Sequence, residues 1–254
     1  TWRSTAVRDR IFREALAPVA MSIDPHVLFE PGTISRLIEF AETEMTIHSS
    51  RLPADLYHGA MLYDYLDPDG EVVTHMTPEW RENMFGTWAH DPRGKDPEYA
   101  PFEIPMMGLG CFLSRVDSWQ GFHPLFKGFG GEEGYIHEKT RQAGAKVICL
   151  PWLRWIHRFD RPRGIVYPLD IWERIMNYLI GWLDLDKDPQ EVIDHFAETH
   201  PDVPVEDLLL PRVWDLLNEF EHDPEKTLEI YRSERPDPDF IPGTDIEREW
   251  NDTQ

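Results

Sequence analysis

Val19-Ala20-Met21-Ser22-Ile23 is an apolar run of strand length that ends in Asp24-Pro25-His26, and a second run, Cys149 to Ile156, ends in His157. Read as buried strands, the two runs carry a carboxylate and two imidazoles to strand ends. Ligands collect at such carboxyl ends in open α/β sheets. In an extended segment positions i and i+2 point the same way, so Asp24 and His26 reach one point together. This ligand set suits a divalent metal. Taken alone, Asp24-Pro25 reads equally as a turn and His26 as a surface residue. Between the runs lies Phe129-Gly130-Gly131-Glu132-Glu133, a glycine turn opening a helix that starts with two carboxylates. The combination points to a metal-assisted transferase.

The rest of the chain supplies a frame for these motifs. Val7, Ile11 and Ala15 give residues 5–16 helical spacing, and Val27-Leu28-Phe29 continues the first strand after its turn. Pro31-Gly32-Thr33 starts a helix with Thr33 as the N-cap candidate. Its apolar positions Ile34, Leu37, Ile38 and Ala41 fall on one face. Ala60 to Tyr63 and Val72-Val73 read as paired strands around the turn Asp67-Pro68-Asp69-Gly70. Residues 85–101 read as a long surface loop. Gly108 to Ser114 reads as a strand with glycines at its entrance, Glu132 to Ala143 as a helix stopped by Gly144, and Lys146 to Leu150 as the next strand. From Asp170 onward the spacing is helical, and Pro236, Pro238 and Pro242 mark an irregular acidic tail. The expected organisation is an α/β domain over residues 1–168 and a helical region over 169–254.

Composition narrows the class. Hydrophobic content of 41% with 10 Trp and 13 Phe supports a packed core, so global disorder is excluded. No apolar run reaches membrane-spanning length, and no secretory leader is visible. Cys111 and Cys149 lie in apolar stretches and read as free thiols of a cytoplasmic protein. The chain opens on Thr rather than Met, as an excised domain would. A net charge of −22 opposes a broad nucleic-acid surface. The acid is concentrated in residues 184–254, however, whereas Arg154, Arg158, Arg161 and Arg163 cluster around His157. They read equally as a local cationic site or as a solvated loop.

In this order the motifs resemble the GT-A glycosyltransferases, most closely the branch with Asp-x-His in place of Asp-x-Asp. In polypeptide N-acetylgalactosaminyltransferases an Asp-Ser-His after a strand supplies two metal ligands. A Gly-Gly strand follows, then Trp-Gly-Gly-Glu-Asn opening a helix, then a strand ending in the third ligand, His, with an Arg after it. The matching positions are Asp24 and His26, Gly108 to Gly110, Phe129 to Glu133, and His157 with Arg158 and Arg161. The run from Ile23 to Gly32 is also similar to a stretch of family-2-type transferases. The wording of residues 102–161 looks similar to phage and bacterial transferases, some linked to hydroxymethylated pyrimidines in DNA. The resemblance covers roughly residues 5–165. Pro25 departs from the usual small polar residue, and Phe129 from the usual Trp, losing its indole N–H. The GT-A strands that bind uracil and ribose are absent from the sequence. If the protein has them they precede Thr1, and about two βα units of ~30 residues each would be needed.

The resemblance implies a metal-dependent hexosyltransferase. Asp24, His26 and His157 would hold Mn²⁺ or Mg²⁺, and the donor would be a nucleotide sugar, most simply a UDP-sugar. Glu132 would accept hydrogen bonds from donor hydroxyls. Glu133 would act as general base in an inverting enzyme or bind acceptor in a retaining one. Helix-start preference alone would account for one of these two carboxylates. Gly108, Gly110, Gly130 and Gly131 would let the sugar lie against backbone, with Phe129 as its aromatic platform; tight turns would equally explain the glycines. Arg158 and Arg161 would hold the diphosphate, and Arg163-Gly164 would hinge a lid. The expected acceptor is a hydroxymethylated pyrimidine in DNA, with a protein or glycan hydroxyl as the alternative. DNA would require a basic lip of Arg154, Arg158, Arg161 and Arg163, joined by Lys127 and Arg115. From another class, the chain reads as an idle sugar- or protein-binding module derived from the fold. His48, His58, His75, His90 and His137 lack ligand spacing, and Trp152 and Trp155 read as core.

Overall fold

The computed structural model describes residues 4–47, 53–63, 70–159 and 169–233. Helix α1 (Ser4–Glu14) leads into strand β1 (Val19–Ile23), and Asp24-Pro25-His26 turns the chain into β2 (Val27–Phe29). Helix α2 (Thr33–Phe40) runs on into a π-helical turn, Ala41–Ile47. Strands β3 (Leu56–Leu62) and β4 (Val72–Val73) precede a hairpin of β5 (His75–Arg81) and β6 (Met84–Ala89). Next come β7 (Phe102–Glu103), β8 (Cys111–Arg115), helix α3 (Glu132–Gln142) and the long strand β9 (Val147–His157). Helices α4 (Ile171–Asp184), α5 (Gln190–Thr199), α6 (Leu210–His222) and α7 (Pro224–Ser233) follow.

The main sheet runs β1-β8-β3-β9-β2, with β4 added to β3 and β7 to β9. Among the described residues only its β3–β9 pairing is parallel. Strands β1 and β2 end this order, yet three residues join them. Four inter-strand gaps of ~4.8 Å amount to about 19 Å in a flat sheet, whereas the step from Ile23 to Val27 reaches at most about 14 Å. The sheet must therefore fold back, and β9 carries the bend. Its register on β3 jumps from Gly59↔Leu150 to Ala60↔Arg154, leaving Pro151, Trp152 and Leu153 as a bulge. Bulges bend and twist a strand. Pro151 has no N–H to leave unpaired there, and Gly59 permits the bulge because a Cβ on it would stand 2.2 Å from the Leu153 carbonyl. Beyond the bulge, Trp155 and His157 pack over Gly110 at the entrance of β8, within 3.2 Å of where its Cβ would be. The turn after β1 thus meets the end of β9.

Several local expectations change in the structure. Residues 85–101 contain β6 and a 3₁₀ turn at Pro92–Lys95 instead of one loop. The β5–β6 hairpin covers α3, with Phe85 packed over Gly134. Gly32, not Thr33, caps α2, and Thr33 is buried within the first turn. Of the expected apolar face of that helix, Leu37 is buried while Ile34 and Ile38 are exposed. The strand expected at 146–150 extends to His157 as β9, joining the two apolar halves in one bulged strand. The turn at Asp67–Asp69, the acidic tail prolines and His48 lie outside the described residues.

The largest core crosses the expected boundary at 168/169. Phe112, Tyr135 and Ile136 pack in it with Ile175, Tyr178, Leu179 and Trp182 of α4. Fully burying one such side chain contributes roughly 1.5–3 kcal/mol, so α4 is held to the sheet by several of these increments. Trp152 and Trp155 are buried, as expected. Among the described residues no helix is long and apolar enough to cross a membrane.

Candidate active site

The bend in β9 brings Asp24, His26 and His157 together, each offering a ligand atom within 4.8 Å of the others. The Nε2 atoms of His26 and His157 are 3.0 Å apart, and Asp24 Oδ2 lies 3.9 Å and 3.8 Å from them. Metal bonds of about 2.1 Å at right angles put neighbouring ligand atoms about 3 Å apart, so the imidazoles already stand at cis spacing. The carboxylate needs only a small rotation. Without a cation the same geometry is an imidazole–imidazole hydrogen bond. His157 Nδ1 has no hydrogen-bond partner among the described residues, so its tautomer follows from what Nε2 binds. Burial works against the Asp24 charge, but the contact with His157 and the nearby Arg8 and His26 outweigh it and hold that carboxyl below its usual range.

Helix α1 supplies two further members. Val7 of the expected apolar set is 63% exposed, while Ser4, Thr5 and Phe12 are buried. The polar face turns inward because Glu132 is there to receive it. Ser4 Oγ donates to Glu132 Oε1 at 3.0 Å. The Arg8 guanidinium stands 3.7 Å from Glu132 Oε1 and 3.7 Å from Asp24 Oδ1. The Arg8 cation therefore sits between the Asp24 carboxylate and the start of α3. Asp24 divides its oxygens, Oδ1 toward Arg8 and Oδ2 toward the imidazoles. The i, i+4 spacing of Ser4 and Arg8 was the available signal, masked by the apolar register of Val7, Ile11 and Ala15.

Glu132 is 1% exposed. Its second oxygen accepts from the Gly130 N–H at 2.7 Å, so both are engaged within the protein. Glu132→Gln is therefore expected to cost about 1–3 kcal/mol, since half-buried Arg8 loses a charged neighbour and Ser4 a charged acceptor. A helix-start Glu would cost only a few tenths up to about one. Denaturant unfolding decides; a loss below about 0.5 kcal/mol would return Glu132 to an ordinary helix-start residue.

Glu133 differs. It is half-buried, and burial followed by the neighbouring Glu132 carboxylate pushes its carboxyl up to about 8, against the opposing pull of Arg8 and Arg174. A carboxyl titrating near neutrality suits proton transfer. Behind it, the fully buried His137 and His58 meet Nε2 to Nε2 at 2.8 Å, and His137 Nδ1 faces the Glu133 carbonyl. That carbonyl accepts a hydrogen bond from the His137 Nδ1–H, so His58 Nε2–H donates to His137 Nε2, the tautomers following from these contacts. Burial depresses both, His58 well below its ordinary value and His137 to about 3. The pair is a neutral strut between β3 and α3, which spacing along the chain did not reveal.

The glycines meet protein side chains. A Cβ at Gly108 would stand 2.6 Å from Trp88, at Gly110 3.1 Å from Trp155, at Gly130 2.7 Å from Arg174 and at Gly131 3.2 Å from Asn177. Phe129 is half-buried with the Arg174 guanidinium 5.8 Å from its ring centre. Arg158 is half-buried, its backbone N–H on the His26 carbonyl at 3.4 Å. Arg161, Arg163 and Gly164 lie outside the described residues. Around His157 the wall is aromatic: Phe159 lies 4.0 Å from its ring and stacks on Tyr63 at 4.3 Å.

The chain matches no family profile and no curated protein. Among solved structures it is similar to the crystal structure of GalNAc-T7 with UDP, GalNAc and Mn2+, at a TM-score of 0.59 and 17% identity over 86% of this chain. This chain spans 41% of that protein's length. The likeness is one of fold: a mixed sheet with flanking helices, GT-A-like, followed by C-terminal helices.

Proposed function

We propose that this chain transfers a hexose-type sugar from a nucleotide-sugar donor, most simply a UDP-sugar, to an acceptor hydroxyl, with Mn²⁺ or Mg²⁺ held by Asp24, His26 and His157. The observation that carries this reading is the meeting of His26 and His157, 131 residues apart in sequence, at 3.0 Å beside Asp24. The donor set fits the cation: one carboxylate and two imidazoles leave positions open for phosphate oxygens and water. When bound, the cation would neutralise charge developing on the departing diphosphate. Arg8 holds Asp24 turned so that Oδ2 faces the imidazoles, and Glu133 in its ionised form takes the acceptor hydroxyl proton. The structurally similar GalNAc-T7 is seen with UDP, GalNAc and Mn2+, which supports the donor class and the metal.

The acceptor divides into two readings. Hydroxymethylated DNA follows from the wording of residues 102–161, but its basic lip is depleted. Arg154 is buried and donates to the Lys95 carbonyl at 2.8 Å. Lys127 is buried with its ammonium 3.3 Å from the Tyr231 ring centre, and Arg115 is paired with Asp117. With a net charge of −22, this favours a protein or glycan hydroxyl, since a polyanion would be repelled. The test is transfer of labelled sugar from a nucleotide-sugar panel onto hydroxymethylated DNA, plain DNA, protein extract and oligosaccharides. Labelling of protein or glycan is the expected result. Labelling confined to hydroxymethylated DNA would reverse the acceptor assignment. No labelling of any acceptor, and no donor hydrolysis, would remove the enzyme reading and leave a binding module.

A further inference from the structure

Helix α4 lies beyond the stretch whose sequence motifs resemble glycosyltransferases, yet two of its polar residues are almost wholly buried, Arg174 at 1% and Asn177 at 2% exposure. Asn177 spends its entire amide on the loop before α3. Its Oδ1 accepts from the Lys127 N–H at 2.9 Å, while Nδ2 donates to the Lys127 carbonyl at 2.6 Å and the Gly130 carbonyl at 2.9 Å. Arg174 reaches the Phe129 carbonyl at 3.4 Å and, on its other side, the Asn83 carbonyl between β5 and β6 at 3.5 Å.

The paired glycines make this approach possible. Any side chain on Gly130 would strike Arg174, and one on Gly131 would press on Asn177. Held in this way, the turn aims the Gly130 N–H at Glu132 Oε2 and starts α3 at that residue, with Glu133 next. The neighbouring Ser4 and Arg8 fix Glu132 from the opposite side.

We propose that Asn177 and Arg174 are positioning residues for sugar transfer, through which α4 fixes the Lys127–Gly131 turn and so the carboxylates of Glu132 and Glu133. The catalytic half of this inference rests on the proposed function; the fastening of the turn does not. A carboxamide is the side chain that offers an acceptor and two donors in one plane at this size. Ionised Asp in its place would set a carboxylate against two carbonyls, and Leu would fill the volume while removing all three hydrogen bonds.

The experiment uses the full chain and three readouts: amide hydrogen exchange by NMR, calorimetric titration with MnCl2 and UDP, and steady-state transfer kinetics. In the unmutated protein the Lys127 and Gly130 amides are expected to exchange as slowly as those of β3. Rapid exchange at both would overturn the clamp without any variant. Asn177→Asp is expected to speed exchange at these two amides about tenfold or more with β3 and β9 unchanged. It should lower kcat about 100-fold, the scale of a 1 Å misplacement at a reacting centre, while KM for donor and Mn²⁺ affinity stay within about threefold. Loosened amides with normal kcat would show a purely structural contact and defeat the positioning role. Should Asn177→Asp not fold, Asn177→Ser keeps one donor and is expected to give an intermediate kcat with the same unchanged KM. Absence of transfer by the unmutated protein would overturn the catalytic half together with the functional reading, while the exchange data separately decide the clamp.

Discussion

His157→Ala is expected to abolish measurable Mn²⁺ binding at the β1–β9 junction and to lower sugar transfer about a thousandfold. A cation stabilising charge on a leaving group contributes several kcal/mol, and each 1.36 kcal/mol is tenfold in rate. Losing the ligand that closes the set removes most of that contribution. The competing account is a hydrogen-bonded imidazole pair, since His26 and His157 stand 3.0 Å apart. Under that account His157→Ala only removes a buried ring that packs against Phe159, affecting stability and not metal binding. Titration of Mn²⁺ by electron paramagnetic resonance separates the two, with Asp24→Asn as the companion variant. An unmutated protein that takes up no Mn²⁺ at millimolar concentration would sink the metal centre.

Asp24, His26 and His157 were legible as a candidate ligand set because they close apolar runs, and strand ends are where a sheet presents side chains. That the ends would meet depended on something less visible, the three-residue bulge at Pro151–Leu153 opposite Gly59. Pro151 inside an apolar run was the available sign, since proline is excluded from a central ladder. The β5–β6 hairpin was missed because its residues, such as Glu79-Trp80-Arg81-Glu82, alternate poorly. Its pairing is supported by packing on α4 and α5: Phe85 N–H donates to the Tyr178 hydroxyl and Trp80 stacks on His195. The inward polar face of α1 was equally hidden. Apolar periodicity reports which face meets an apolar core, and this face meets a carboxylate. For the same reason the stretch from Asp170 read only as helical spacing, and Arg174 and Asn177 had no signal without the loop they hold. The glycines were legible as sites of close approach, but the sequence does not say what approaches them.

The fold and the site are joined through one cation. Arg8 is placed by α1 within 3.7 Å of both Asp24 and Glu132, so the Asp24-Pro25-His26 turn and the α3 start share a charge partner. This explains how three carboxylates, Asp24, Glu132 and Glu133, coexist in a poorly solvated corner. It also bears on why Glu133 is pushed upward in its titration while Asp24 is held down. Glu132 has Ser4, Gly130 and Arg8 around it, whereas Glu133 has burial and the Glu132 charge to oppose its ionisation.

Transfer is therefore expected to rise with pH as Glu133 ionises around about 8, and Glu133→Gln should lower the rate by about 10² to 10⁴, the usual yield of a positioned acid–base group. The linked stability effect has the opposite direction. The folded state holds the Glu133 proton up to about 8, whereas an unfolded Glu releases it near 4.5. Between those values the native state binds the extra proton, so this group's contribution to stability falls as pH rises through the window and levels off above it. Gln cannot ionise and escapes that loss. Glu133→Gln should accordingly be less active than the unmutated protein yet more resistant to denaturant at pH 8.5–9, with the difference vanishing near pH 4. Urea unfolding at several pH values and pre-steady-state transfer over pH 6–9 test both halves on the same samples. A pH-independent rate together with near-normal turnover of Glu133→Gln would remove Glu133 from proton transfer and leave it an acceptor-binding group. Stabilisation without loss of rate would show that burial alone shifts the carboxyl.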